Sequence, residues 1–164
     1  MKFQYLRQKE ICTKIGIPRA LLFYYYYPFW KTFFGACGCE TVLSDETNAE
    51  IMSEGSAVSV SELCVPIKIY NGHVLNLLKK DVDYIFIPQF ISMKKEWYCP
   101  KFIGILELTS YSIEGLDGKL LTMEITSKGD VPNRLVEYLP LCGPLGISKN
   151  QLKKAVDKAE SAFE

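Results

Sequence analysis

Asp83-Tyr-Ile-Phe-Ile-Pro88 has the continuous hydrophobicity of a strand that is buried on both faces of a parallel sheet. Shorter apolar runs predict three more strands, at residues 14–18, 39–43 and 119–125. Segments with helical spacing separate these runs, and strands that alternate with helices indicate βαβ units. The predicted fold class is therefore α/β: a three-layer, Rossmann-like domain with a mostly parallel sheet of about four strands and helices on both faces.

The helices are predicted from apolar spacing and from the residues that begin or end a helix. One helix is expected at residues 24–36, and because Pro28 fits best in a first turn, it should begin near Tyr27. A short helix at residues 48–54 is expected to end at Gly55. The remaining segments are helices at residues 64–80, 101–112 and 148–163 and an irregular stretch at residues 89–100.

Length and composition fit a single domain. The chain has 164 residues, of which 48% are hydrophobic and 23% are charged, and these values argue against intrinsic disorder. We expect one α/β domain over residues 1–164, in which residues 1–13 form an N-terminal extension and residues 148–164 a C-terminal helix. The 19 basic and 19 acidic residues give a formal net charge of zero, which argues against a general nucleic-acid binder.

The sequence predicts no contact with a membrane. No run of about 18 apolar residues lacks a charge or a proline. The first ten residues carry several charges and have no apolar core, so they do not resemble a signal peptide. We therefore expect a cytoplasmic protein.

Two of the six cysteines are predicted to share one edge of the sheet. Cys64 falls in the first turn of a helix, because Pro66 lacks an N–H and must lie where no intrahelical donor is needed. A helix that follows a strand begins at the carboxyl edge. Cys99 follows the strand at residues 83–88 and so leaves the same edge. The two thiols are expected to approach each other where α/β folds place their sites.

The other four cysteines are separated from this pair. Cys37 and Cys39 lie between a helix and the following strand, which is the opposite edge, so we interpret them as structural. Cys12 precedes the first strand and starts from that far edge as well. Cys142 follows the fourth strand by a long connection, and its position stays open.

The surroundings of Cys64 suit a thiolate. Backbone N–H groups at a helix start, together with Lys68 one turn later, favour the negative form that acts as a nucleophile or a metal ligand. An iron–sulfur site is favoured over zinc because the sequence has no C-x₂-C pair and no adjacent histidines. A 4Fe-4S cluster normally takes four thiolates, so Cys142, another domain or a partner is needed to complete the set.

Two further polar residues, His73 and Arg19, are candidates for the site. His73 is the only histidine, and its nine-residue separation from Cys64 puts the two on opposite sides of a helix. We therefore expect a packing or capping role rather than a Cys–His dyad. Arg19 follows the first strand, where it either holds an anion or is solvated. The sequence contains no G-x-G-x-x-G, Walker or G-x-S-x-G motif.

Several strings of the sequence resemble one known family. They are Lys14-Ile-Gly-Ile-Pro-Arg-Ala, Tyr27-Pro-Phe-Trp-Lys-Thr-Phe-Phe, Gly38-Cys-Glu-Thr-Val-Leu-Ser, Cys64-Val-Pro-Ile-Lys68 and Tyr98-Cys-Pro-Lys101. Over about residues 14–145 the chain resembles the acyl-CoA dehydratase activase-related family, which is similar to the subunits of 2-hydroxyglutaryl-CoA dehydratase.

This resemblance implies a Rossmann-like domain whose cysteines bind a 4Fe-4S cluster that receives an electron and takes part in removing water from a 2-hydroxyacyl-CoA. The implied metal ligands are Cys64 and Cys99, with Arg19 and Lys68 as candidate cofactor-binding residues and no catalytic residue assigned. Family members are usually longer. We therefore expect one module of a dehydratase-like lyase system, with its other domains or subunits as partners and acyl-CoA as a ligand.

Two other functions stay open. The short length and the aromatic content of 13% fit a non-catalytic interaction or assembly module that retains the fold. Cys64 also fits a zinc- or thiol-dependent enzyme. The sequence alone does not decide whether this chain is an enzyme.

Overall fold

A computed structural model describes residues 12–163. The predicted N-terminal extension therefore lies mostly outside the described residues, as does the segment compared with a signal peptide. The elements in chain order are β1 (Lys14–Ile17), α1 (Phe23–Ala36), β2 (Glu40–Leu43), α2 (Ala49–Val58), α3 (Val65–Leu78), β3 (Tyr84–Met93), β4 (Glu96–Trp97), α4 (Pro100–Ile103), α5 (Ile105–Ser112), β5 (Leu120–Ser127), a 3₁₀ helix (Leu135–Leu141), α6 (Cys142–Leu145) and α7 (Lys149–Phe163).

The predicted α/β class is confirmed, with a mostly parallel sheet of five strands rather than four. β1 pairs in parallel with β2 on one side and with the start of β3 on the other. β5 pairs in parallel with the opposite edge of β3, along nearly its whole length. The fifth strand is β4, which pairs antiparallel with the end of β3. Since β5 occupies the other edge, β4 lies on the same side of β3 as β1.

Helices cover both faces of the sheet. α1 and α7 pack on one face, where the aromatic residues of α1 meet Phe86, Phe90 and the buried residues of β5. α3 and α5 pack on the other face against Ile85 and Ile87. Successive side chains of β3 therefore lie alternately in two separate cores. Among residues 12–163, no helix is both long enough and apolar enough to cross a membrane.

α2 and α3 cross at a pair of glycines. A Cβ added to Gly55 would lie 2.0 Å from the carbonyl oxygen of Lys68, and one added to Gly72 would lie 2.0 Å from that of Ile51. Such a close approach of two backbones requires a residue without a side chain. The prediction that Gly55 ends the helix is wrong, because Gly55 lies inside α2 at this contact.

α1 begins earlier than predicted. The helix starts at Phe23, which places Pro28 in its second turn rather than its first. Pro28 and Tyr24 are both exposed, so water can hydrogen-bond the Tyr24 carbonyl that the proline leaves without an N–H donor. The helix buries one broad apolar face, which is formed by Tyr26, Phe29, Trp30, Phe33 and Phe34.

The stretch predicted to be irregular, residues 89–100, is instead a β-hairpin. β3 runs on to Met93, and the chain reverses through Lys94 and Lys95 into β4. Both turn residues have left-handed backbone angles, with φ of 52° and 70°, as in the tight turns that usually contain Asn or Gly. The following helix, predicted as one segment, is divided at Gly104 into α4 and α5. The closing helix α7 begins after Ser148 as predicted.

We expect Gly55→Ala and Gly72→Ala each to lower the free energy of unfolding by about 3 kcal/mol, because the added methyl group overlaps backbone that cannot move aside cheaply. Urea unfolding of the full chain measures this. Gly35→Ala in α1 is the matched control, since a Cβ there meets nothing within 4 Å. That variant should be neutral or stabilised by up to about 1 kcal/mol. Equal costs at all three positions would contradict the close-contact argument.

Candidate functional site

Cys99 follows the β3–β4 hairpin, in which the chain turns back along the edge of β3. Tyr98 N donates to the carbonyl oxygen of Ile91 (3.2 Å), and Cys99 follows as the N-cap of α4. Cys99 is exposed, and its own carbonyl accepts from Phe102 N and Ile103 N. Cys99 therefore lies beside the carboxyl half of β3, on the side expected from the sequence.

Cys64 is the exposed N-cap of α3. α3 runs from this residue towards the amino edge of the sheet, where Asp83 N donates to the carbonyl oxygen of Lys14 at the start of β1. The beginning of α3 therefore lies on the carboxyl side. The predicted helix start at Cys64 is confirmed, although α3 follows α2 rather than a strand.

A hydrogen bond joins the two cysteine-bearing segments. Lys101 Nζ donates to the carbonyl oxygen of Glu62 at 2.7 Å. Lys68 Nζ donates to the adjacent carbonyl of Ser61 at 3.1 Å. The pKa of the exposed Glu62 carboxyl is held below its usual value, chiefly by a hydrogen bond from the Ser61 side chain, with smaller contributions from the charges of Lys68 and Lys101. Both ammonium groups therefore lie close to the loop that leads into Cys64.

The remaining cysteines lie elsewhere, and the pKa values of two of them, Cys37 and Cys39, are raised. Burial is the main cause that raises the pKa of Cys37 to about 12, and Cys39 and Cys142 contribute. Burial also raises the pKa of Cys39 to about 11, with a contribution from Cys12. Cys37, Cys39 and Cys142 pack partly buried against the core that contains α1 and α7. Cys142, whose position the sequence left open, is thus near Cys37 and not part of the segments around Cys64 and Cys99.

Within residues 12–163, no group of three or more His, Cys, Asp or Glu side chains is arranged to hold a metal ion. Neither Cys64 Sγ nor Cys99 Sγ makes a hydrogen bond to another described residue, whereas Cys12 Sγ donates to the carbonyl oxygen of Gly38. Cys64 and Cys99 are thus two exposed thiols that could serve as ligands. A 4Fe-4S cluster normally takes four thiolates, so two thiols alone do not complete such a site.

His73 is a buried link between α3 and the loop after β2. Its Nδ1 lies 2.8 Å from Ser44 Oγ and its Nε2 lies 3.0 Å from Thr47 Oγ1. Ser44 Oγ also accepts a hydrogen bond from Arg19 N (2.8 Å). A neutral ring satisfies the whole chain of bonds if Ser44 donates to Nδ1 and Nε2–H donates to Thr47. The packing role predicted for His73 agrees with these contacts, and no cysteine takes part in them.

Arg19 lies on the loop that follows β1, at the same carboxyl side. Its side chain is 24% exposed and pairs with Glu46, whose side chain is 84% exposed. Arg19 Nε is buried and has no hydrogen-bond partner among the described residues. The Arg19 side chain is thus partly buried and keeps one donor without a partner among the described residues, and its role in holding an anion stays a prediction.

The same loop borders an apolar cavity of about 40 Å³ between β1, β3 and α4. Leu21, one of its lining residues, has a left-handed φ of 55°, which costs a residue with a Cβ about 1 kcal/mol or more. The crevice between β1 and β3 is where helices change from one face of the sheet to the other, the usual site of ligands in such folds. Sequence reasoning missed Leu21, because leucine gives no signal for this conformation.

Sequence reasoning also missed Ser44, Glu62 and Lys101 as parts of this region. Ser44 follows a strand and Lys101 lies within the quoted string Tyr98-Cys-Pro-Lys101, so position in the chain was a usable signal for both. Their partners lie 29 and 39 residues away in sequence, and only the folded chain shows these contacts.

The fold and the two exposed thiols define a Rossmann-like α/β domain with a thiol-bearing carboxyl side. The family model described as "CoA enzyme activase uncharacterised domain" matches residues 14–164, and the chain belongs to this family. This agrees with the activase-related resemblance seen in the sequence. No curated protein and no solved structure matches the chain.

The buried histidine makes stability depend on pH. Burial is the main cause that lowers the pKa of His73 to about 4 from 6.5, and the charge of Arg19 adds to it. As the pH falls below 6.5, the unfolded chain takes up the proton first, so stability present above pH 6.5 is lost as the pH approaches 4. Between pH 6.5 and about 5 we expect a loss of about 2 kcal/mol.

Urea unfolding at a series of pH values measures this loss. His73→Gln keeps a donor and an acceptor but does not titrate in this range, so its stability should be nearly constant over the same interval. Because the chain has a single histidine, few other groups change charge there. The same slope in both proteins would refute the assignment to His73.

Proposed function

We propose that the chain is an iron–sulfur domain of the 2-hydroxyacyl-CoA dehydratase and activase-related type, in which Cys64 and Cys99 are thiolate ligands of a 4Fe-4S cluster. The observation that carries the proposal is the bond from Lys101 to the Glu62 carbonyl, which ties the Cys99 segment to the loop before Cys64. Such a cluster supplies one-electron transfer when bound. The remaining thiolates come from another domain or subunit of the same dehydratase-like system.

The chemistry of the two thiols supports this ligand role. Both are exposed, and neither is engaged in a hydrogen bond with a described residue. Lys68 and Lys101 place positive charge beside the loop that precedes Cys64. Positive charge compensates the negative charge that four thiolates bring to an iron–sulfur cluster.

Arg19 is proposed to hold an anionic group of an acyl-CoA at the same side of the sheet. Its Nε is free of protein partners, and its ion-pair partner Glu46 is exposed enough to be displaced. A guanidinium presents paired donors that match phosphate and carboxylate oxygens. The nearby apolar cavity, lined in part by Pro18 and Phe102, gives the adjoining surface an apolar character.

A second function, a non-catalytic assembly module, is supported by the apolar residues around the cysteines. Val60 and Val65, on either side of Cys64, are 60% and 62% exposed, and Trp97, two residues before Cys99, is 75% exposed. Exposed apolar residues around a site are typical of a surface that another protein covers. The two functions are compatible, since a docking partner can also bring the missing ligands.

The iron–sulfur proposal is tested by anaerobic reconstitution of the full chain with iron, sulfide and a small-molecule thiol, which stands in for the ligands of the other domain or subunit, followed by desalting. We expect bound iron and sulfide and a broad absorption band in the violet for the wild-type chain. Cys64→Ser and Cys99→Ser should each lose most of the bound iron, because an alcohol is a poor ligand for this cluster.

Cys12→Ser is the matched control, since Cys12 is also exposed but precedes β1 and donates to Gly38. This variant should retain iron at the wild-type level. A colourless, iron-free wild-type protein would falsify the proposal and leave the assembly module as the better description. Iron that persists unchanged in both Cys64→Ser and Cys99→Ser would show that the ligands lie elsewhere.

A further inference from the structure

The loop between α2 and α3 is held by two lysines that come from different elements. Lys68, in the first turns of α3, binds the Ser61 carbonyl at 3.1 Å. Lys101, in α4, binds the next carbonyl, that of Glu62, at 2.7 Å. Lys68 closes a contact within one segment of the chain, whereas Lys101 reaches over 39 residues of sequence. Only the second bond can therefore fix one segment relative to the other.

The positions of the two bonded residues make the Lys101 contact informative. Lys101 lies two residues after Cys99, and Glu62 lies two residues before Cys64. Leu63, between Glu62 and Cys64, is buried in the same core cluster as Ile105 of α5. The loop is thus joined to α4 by one polar contact, and its buried Leu63 belongs to the same apolar cluster as a residue of α5.

Lys101 contacts a carbonyl rather than a carboxylate. Among residues 12–163, Lys101 makes no salt bridge, although other lysines such as Lys14 and Lys79 pair with acidic side chains. A charged donor on a neutral carbonyl is a strong hydrogen bond. The charge of Lys101 also helps to hold the pKa of the Glu62 carboxyl below its usual value, so the same side chain holds the loop and places positive charge beside it.

We propose that Lys101 is a positioning residue that holds Cys64 and Cys99 within bridging distance of each other through its bond to the Glu62 carbonyl. The inference rests on the proposed function, because it concerns the same two cysteines. It goes further because it assigns the short distance between the two cysteines to a single side chain. Lys101 touches neither thiol through this bond and acts only through the position of the loop.

The experiment is thiol bridging by dibromobimane on the iron-free full chain, with the Cys64–Cys99 product identified by peptide mass. The reagent becomes fluorescent when one molecule has alkylated two thiols. We expect the wild-type chain to give this product and Lys101→Met to give roughly three- to tenfold less, as expected for the loss of one charge-assisted hydrogen bond. Lys101→Arg, which retains a charged donor, should recover most of the yield.

Two controls separate positioning from a general loss of structure. Lys154→Met removes an exposed lysine of α7 and should bridge like the wild-type chain. Alkylation of each cysteine by iodoacetamide, which needs only one thiol, should be alike in the wild-type chain and in Lys101→Met, and the unfolding midpoints should be similar.

The possible outcomes distinguish the positioning role of Lys101 from the iron–sulfur proposal. Equal bridging in the wild-type chain and in Lys101→Met would overturn the role of Lys101 and leave the iron–sulfur proposal standing. A wild-type chain in which Cys64 and Cys99 cannot be bridged would overturn the inference itself. Bridging that depends on Lys101, in a chain that binds no iron, would support the positioning role and reject the cluster.

Discussion

The structure depends on the pairing of β3 along both of its edges. A strand buried between two layers of helices cannot leave its backbone groups without partners. β5 satisfies one edge over nearly the full length, but β1 pairs only with Tyr84 and Ile85 on the other. Beyond that point the chain supplies its own partner by folding back as β4. The N–H groups of successive strand residues point to opposite sides, and that of Ile85 points towards β5. The backbone nitrogen of Pro88, three residues later, therefore faces the gap between β1 and β4. Because proline has no N–H, no donor is left unpaired there.

The β3–β4 hairpin, which completes the pairing of β3, also positions residues of the candidate site. The chain leaves β4 at Tyr98, still bonded to Ile91, and delivers Cys99 and Lys101 beside the loop that precedes α3. On the other side of the crevice, the loop after β1 is anchored through Arg19 N, Ser44 and His73. The hairpin and the β1 loop therefore enclose one region from two directions, with the exposed thiols on the hairpin side and the free Arg19 donor on the other.

The parts of this arrangement that depend on chain direction could be predicted from sequence. Cys64 and Cys99 were assigned to the same side because Pro66 fixes a helix start and the strand at residue 83 fixes a strand end. The hairpin could not be predicted, because Lys94 and Lys95 adopt left-handed angles that Asn or Gly usually signal. The helix end predicted at Gly55 is wrong, since in sequence a glycine required by a neighbouring backbone resembles one that ends a helix. The bonds of Lys101 and Ser44 join distant segments, and no local pattern encodes them.

The route of the chain between the cysteines has a consequence for the order of folding. Both thiols belong to one continuous stretch, from the loop before α3 to the start of α4, and the bond from Lys101 to the Glu62 carbonyl closes a loop of 39 residues within it. The sheet contact between β1 and β3 joins Ile15 to Tyr84 and must close a much longer one. Since contacts near in sequence form faster than those that close long loops, the α3–β3–β4 stretch is expected to organise before the full sheet does. The approach of the two cysteine segments is then expected to precede the joining of β1 to β3, which completes the sheet.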